Sequence, residues 1–173
     1  DSEEKYLDQN NSLFKLFRFN NSKLIFDNVS FSSNNKFSFK INNKFKANDL
    51  KIKSEINLDH LILLNSYKSN YFFPKLKNKI ELKKNKIKIN YSNKKIEIKG
   101  EGNIKLQNVD DQINYKINKN KDNLEFDCDL NINENPFFID FLNYKKKEDT
   151  YAKLNLNGKL NTNGKVLLEQ ILF

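Results

Sequence analysis

Methionine and tryptophan are absent from this chain of 173 residues. Cysteine, histidine and arginine occur once each, as Cys128, His60 and Arg18. Each shortage removes a class of function. A single Cys excludes a disulfide within the chain. A single His excludes a His-based metal cluster, and its position beside the apolar run Leu61–Leu64 argues against a Ser-His-Asp arrangement. Four Gly leave no loop to cradle a phosphate; Gly100-Glu101-Gly102 lies within an alternating segment and reads as a bulge or bend. No calcium-loop motif occurs. No apolar run approaches the roughly 20 residues that span a bilayer. The lack of Met and the opening Asp-Ser-Glu-Glu predict a mature or excised segment of a longer protein, as does the apolar finish Ile171-Leu172-Phe173.

The net charge of +9 is carried almost wholly by Lys. Arg is the residue suited to bidentate phosphate and base recognition, so its scarcity argues against specific nucleic-acid readout. The Lys residues are spread along the chain beside Glu or Asn, which supports only nonspecific association. The abundance of Asn, Ile, Phe and Lys fits an AT-rich coding sequence. Asp110-Asp111 reads as part of a turn. Asp127 and Asp129 fall on a polar strand face, where they are expected to balance Lys on a neighbouring strand. Cys128, in register with Phe126 and Leu130, reads as a small core hydrophobe. The expectation is a protein without catalytic residues, metal or cofactor.

What the chain does have is alternation. Ile80 and Leu82 alternate with Lys79, Glu81 and Lys83; Ile87, Ile89 and Tyr91 with Lys86, Lys88 and Asn90; Ile96 and Ile98 with Lys95, Glu97 and Lys99. Ile104 and Leu106, then Ile113, Tyr115 and Ile117, then Leu124, Phe126, Cys128, Leu130 and Ile132 continue the pattern. A period of two sends apolar side chains to one face of a strand and polar ones to the other. Polar clusters separate the runs at roughly 8–12 residue spacing, which predicts an antiparallel meander. The fold class is therefore mainly β, an elongated antiparallel meander curled into a hydrophobic groove or open sandwich.

Residues 1–22 read as an N-terminal segment, helix or strand. Residues 23–173 read as a repetitive β-sheet domain. Within it Lys23–Phe26, Val29–Phe31 and Phe37–Ile41 are short strand candidates, and Ser32-Ser33-Asn34-Asn35 and Asn42-Asn43-Lys44 are turn-like. Two stretches lack alternation, Asp59–Ser66 and Pro136–Tyr144. Asp59 and Asn135 are suitable N-caps and Pro136 a suitable first helical residue, so both stretches predict short helices. Each follows an Ile-Asn pair and leads to a Tyr-Lys pair, a repeat offset of about 77 residues. Lys145-Lys146-Lys147-Glu148-Asp149 predicts a solvated loop, and Asn161-Thr162-Asn163-Gly164 a turn.

The serial strands Lys79–Tyr91 and Lys94–Leu106 resemble the AsmA-like family of bacterial envelope proteins, of the TamB and YhdP type. So does Asn135-Pro136-Phe137-Phe138-Ile139-Asp140-Phe141-Leu142-Asn143-Tyr144-Lys145-Lys146, followed by the Leu-x-Leu-x-Gly strand Leu154–Gly158. The resemblance covers most of Lys23–Phe173. It implies a periplasmic protein anchored in the inner membrane by a helix of the parent sequence. It also implies a groove that passes phospholipid acyl chains toward the outer membrane. The expected lipid contacts are Ile87, Ile89, Ile96, Ile98, Ile104, Leu106, Ile113, Ile117, Phe126 and Leu130, with Lys86, Lys88, Lys95, Lys99 and Lys105 in water. A structural or adhesive β-repeat protein, its core closed by its own side chains, is the other reading of the same pattern.

Overall fold

The computed structural model describes residues 25–64, 73–76, 79–121, 123–139, 143–161 and 166–172. The predicted N-terminal segment and the turn at residues 162–164 lie outside them. The described residues form ten strands: β1 Ile25–Ile41, β2 Ala47–Leu64, β3 Lys79–Ser92, β4 Lys95–Lys105, β5 Asp111–Lys119, β6 Asn123–Ile132, β7 Phe137–Ile139, β8 Tyr144–Lys146, β9 Ala152–Asn161 and β10 Val166–Leu172. Eight build one antiparallel sheet in the order β1-β2-β3-β4-β5-β6-β9-β10; β7 and β8 pair apart as a small hairpin. The fold is a β meander, as the alternation predicts, and it is open: β1 and β10 do not pair with each other.

Short polar links carry the chain from strand to strand. Asn93 and Lys94 both have positive φ, 49° and 62°, the geometry of a two-residue hairpin turn. Asn42 Oδ1 accepts the amides of Lys44 (2.9 Å) and Lys46 (3.0 Å), which closes the β1–β2 turn. Asn120 Oδ1 accepts the Asn123 amide at 3.1 Å between β5 and β6.

Directly opposite residues share a face, so the register assigns the faces. Ile89, Ile98, Ile117 and Phe126 lie opposite one another along the sheet, as do Ile56 and Ile87, Tyr115 and Cys128, and Leu130 and Leu154. The other face carries Glu55, Lys88, Lys99, Lys116 and Asp127 in one row. Of the Lys expected in water, Lys86, Lys88, Lys95 and Lys99 are exposed and Lys105 is half-buried.

Two bulges preserve this sorting where the sequence changes phase. Between Lys83 and Lys86 the β3–β4 register shifts, and Lys84 has φ 51°. Ile80 and Leu82 thereby share a face with Ile87 and Ile89, although their sequence parity differs. The amide of Asn85 holds the bulge, donating to the carbonyls of Lys83 and Asn103 at 2.9 Å each. Gly102 sits beneath it; a β-carbon there would lie 2.5 Å from Asn85 Cγ.

The same physics overturns the first predicted helix. Asp59–Leu64 is strand, the end of β2. A register shift lies between the Ser30–His60 and Phe31–Leu58 pairs, after which Leu61 and Leu63 face Leu82 and Ile80. A bulge, not a helical turn, removes the alternation. Residues 65–66 lie outside the described set. The second predicted helix is also incorrect: Phe137–Ile139 and Tyr144–Lys146 form the β7–β8 hairpin, with Phe137 and Ile139 buried and Phe138 between them half-buried. Asn135 does not cap a helix, because its side chain is committed to the β4–β5 link. Ser32-Ser33-Asn34-Asn35 is not a turn either. It lies in the middle of β1, an edge strand whose polar side chains reach solvent while its backbone pairs with Ile56, Ser54 and their neighbours.

The core sits at one end of the apolar face. Ile104, Leu106, Leu130, Ile132 and Leu154 are buried there beneath Phe137 and Ile139 of the hairpin. Phe73 packs on Phe137 with ring centroids 5.4 Å apart.

Candidate functional site

The hairpin divides the predicted lipid contacts into two groups. Ile104, Leu106 and Leu130 are buried in the protein's own core, packed with Phe137 and Ile139 of β7–β8. Ile113 is half-buried and packs against the same cluster. Ile87, Ile89, Ile98, Ile117 and Phe126 are half-buried on the apolar face outside the cluster, and Ile96 is buried.

The apolar face continues onto β1 and β2, where it is most open. Phe31, Phe37, Phe39 and Ile41 share it with Leu50 and Ile52, and Phe37 is 64 % exposed and Ile41 62 %. These residues were not among the expected contacts, although the alternation of Phe37, Phe39 and Ile41 was visible in the sequence. The polar Ser32–Asn35 insertion concealed that they continue the strand that carries Phe31.

Two glycines shape the middle of the face. The ring of Tyr115 lies over Gly100, and the ring of Phe126 reaches Gly158, where an added β-carbon would meet Phe126 Cζ at 2.9 Å. Missing side chains on one strand are thus filled by aromatic rings from the next. Burial pushes the Tyr115 hydroxyl up to about 12. Burial, with the nearby Asp129 and Asp127, pushes the Cys128 thiol up to about 11, so it stays protonated at neutral pH. Both act as apolar filling.

The hairpin's attachment is polar and buried. Asn135 Nδ2 donates to Asp111 Oδ2 (2.7 Å) and to the Val109 carbonyl (2.8 Å), and Asn135 Oδ1 accepts the amides of Asn108 and Val109. Lys146 Nζ donates to the carbonyls of Asn133 (2.6 Å), Asn135 (2.9 Å) and Lys147 (3.1 Å). Lys146 was expected in a solvated loop, yet it is 2 % exposed, because its ammonium saturates carbonyls that the hairpin's tight path leaves unpaired. Burial lowers the Lys146 pKa, and the charge of Asp111 works against that shift. Burial raises the Asp111 pKa against the hydrogen bonds from Asn135 and Asn133.

The charged face is different in kind. A trough of about 600 Å³ crosses it between Lys86, Lys88, Lys99, Lys116, Asp127 and Asp129. Glu97 lies 3.3 Å from Lys99 and 3.8 Å from Lys116, so the lysines are interleaved with carboxylates rather than gathered around an anion site. His60 lies on this face, its Nδ1 3.3 Å from Asn28 Nδ2 and its Nε2 3.9 Å from Glu81 Oε2, tying β1 to β2 and β3 beside the bulge. Among the described residues no group of three His, Cys, Asp or Glu could hold a metal ion.

Comparison with family models, with curated proteins and with solved structures finds no match. The apolar face between the hairpin and β1 is therefore the candidate site on geometry alone. Its strands run in the direction along which an extended apolar ligand would lie.

Proposed function

We propose that this chain is a segment of a periplasmic protein, anchored in the inner membrane through its parent sequence, whose apolar sheet face carries phospholipid acyl chains toward the outer membrane. The observation that carries the reading is the uncovered part of the face. Phe31, Phe37, Phe39 and Ile41 are each more than half exposed, beside the half-buried Ile89, Ile98 and Ile117. Apolar side chains left exposed on one sheet face mark a binding surface, here interrupted by Ser33, Asn35 and Ser54 on the same face. An acyl chain laid on it gains about 0.8 kcal/mol for each methylene removed from water. The charged face stays in water, and the ligand is carried without chemistry.

The second reading, a structural β-repeat with a closed core, draws on the hairpin, which covers its end of the face with side chains alone. The two separate by position. In the full-length protein in its membrane, a photo-crosslinker at 89 or 98 is expected to capture phospholipid, identified by mass spectrometry, and one at 104 is not. Absence of lipid adducts from 89, 98 and 37 alike would leave the closed structural repeat as the reading.

A further inference from the structure

The two edges of the large sheet are built differently. β10 is short, Val166–Leu172, carries Glu169, and has a register shift between Leu168 and Gln170. Shortness, charge and a bulge all discourage another strand from adding to an edge. β1 is 17 residues long, and its only neighbour among the described residues is β2. Its register shifts lie toward its ends, between Asp27 and Phe31 and between Ser38 and Lys40. Between them Phe31–Ser38 runs in unbroken register with Leu58–Lys51. This regular stretch holds one charge, Lys36, and no Pro. Its outer row of N–H and C=O groups is the template that a further β-strand fits.

The sequence of that stretch is complementary to itself. Antiparallel pairing centred on Asn34 places Phe31 opposite the partner's Phe37, Ser33 opposite the partner's Asn35, and Lys36 opposite the partner's Ser32. Within this stretch Lys36 is the one charge and meets the partner's Ser32, so no two like charges face each other. On the apolar face Phe31 meets the partner's Phe37 with Ser33 and Asn35 paired between them, and on the polar face Lys36 meets the partner's Ser32 on either side of the two Asn34 residues. We propose that β1 is a homodimerisation edge, occupied by β1 of a second copy of this chain in that register.

The arrangement has a two-fold axis through Asn34, so each copy uses the same surface and the assembly closes at two. Because paired residues keep the same parity, both apolar faces lie on the same side of one continuous sheet. The bulge at Asn28, where φ is 48°, is contributed by each copy and so limits the pairing at both ends. Asn34 is exposed and lies on the polar face, so this edge pairing is separable from lipid binding on the other face.

The test uses the whole chain with Cys128→Ser. Sedimentation over a range of concentrations is expected to show a monomer–dimer equilibrium. Asn34→Cys is expected to give a disulfide-linked dimer on mild oxidation. Ser38→Cys is expected not to, since the two copies of position 38 would be about 27 Å apart at 3.4 Å per residue. Asn34→Lys and Asn34→Asp, each alone, should weaken the dimer several-fold, and mixing them should restore it. A chain that stays monomeric at every concentration overturns the proposal. So do open-ended assemblies, or a dimer that cross-links as readily at 38 as at 34 and ignores the charge pair.

Discussion

The ring of Tyr115 lies across Gly100 on the neighbouring strand, so closely that a β-carbon at Gly100 would sit 2.2 Å from Tyr115 Cζ. The two residues are directly opposite in the β4–β5 ladder. Glycine normally weakens a strand, but here its bare backbone is the floor on which a half-buried aromatic ring rests. Gly100→Ala is therefore expected to destabilise the protein despite Ala being the better-ordered residue. Displacing a packed ring costs about 1–3 kcal/mol. Gly158→Ala should cost at least as much, since there the added carbon also meets the Leu167 carbonyl oxygen at 2.3 Å, and backbone yields less readily than a side chain. Urea unfolding of both variants measures this; a neutral Gly100→Ala would show that Tyr115 does not need the space.

Much of this fold is legible in the sequence because a period of two survives translation into structure residue by residue. Ile87, Ile89, Ile98, Ile117 and Phe126 share a face as alternation requires. Legibility ends at phase changes. The slip from Leu58 to Leu61 looks like the loss of a strand, and reads as a helix, because local sequence does not distinguish an inserted bulge residue from a change of period. The slip from Leu82 to Ile87 is the same event, and there the polar Lys83–Lys86 insertion does mark it. The site was half legible. Alternation identified the apolar face, but which part stays open depends on the β7–β8 hairpin, a contact made across the chain. Likewise Lys146 sits in a run of charge and gives no local sign of burial.

Asn85 is the polar residue that the β3 bulge depends on. It is 1 % exposed, and its two donated hydrogen bonds supply the carbonyls of Lys83 and Asn103, while its own Oδ1 has no partner among the described residues. Asn85→Ala removes both donors at once. A buried carbonyl left without one costs about 1–3 kcal/mol, so a loss of that order or somewhat larger is expected. Hydrogen exchange should place the loosening at residues 82–87 and 101–104. Unchanged exchange there would mean that the bulge is held by backbone geometry alone.

Glu81 gives the fold a sign under acid. The Lys79 ammonium, 2.8 Å away, lowers its pKa, as do the charges of Lys79, Lys83 and Lys105, against the opposing cost of burial. A carboxylate whose folded pKa lies below its unfolded value stabilises the protein above the unfolded pKa and loses that contribution as pH falls through the folded one. Relative to Glu81→Gln, the native chain is expected to keep its full advantage above the ordinary value of 4.5 and to lose it progressively below. A charged hydrogen bond of this kind is worth about 1 kcal/mol or somewhat more. Paired urea titrations at pH 7 and pH 3 test it; a gap that stays constant between them would show that Glu81 is not held ionised by its lysines.

One ammonium ties the two ends of the hairpin together. Lys146 Nζ donates to the carbonyls of Asn133 and Asn135, which flank the entry to β7, and to that of Lys147, which follows β8. Lys146→Met keeps the length and apolar stem of the side chain and removes all three donors. The buried Asn135 carbonyl left unpaired costs about 1–3 kcal/mol, the part-buried carbonyls of Asn133 and Lys147 less, and the buried Asp111 loses the positive charge that favours its ionised form. The apolar contacts of Phe137 and Ile139 remain, so the expected result is local: the β7–β8 hairpin opens while the large sheet holds. Hydrogen exchange should then quicken at 137–139 and 144–146 and stay slow in β4 and β5. Opening would also uncover Ile104, Leu106 and Leu130, so a photo-crosslinker at 104, silent in the native chain, should begin to capture lipid in the variant. Global unfolding of Lys146→Met would instead make the ammonium a foundation of the whole sheet. Unchanged exchange at the hairpin would show that apolar packing alone holds it down.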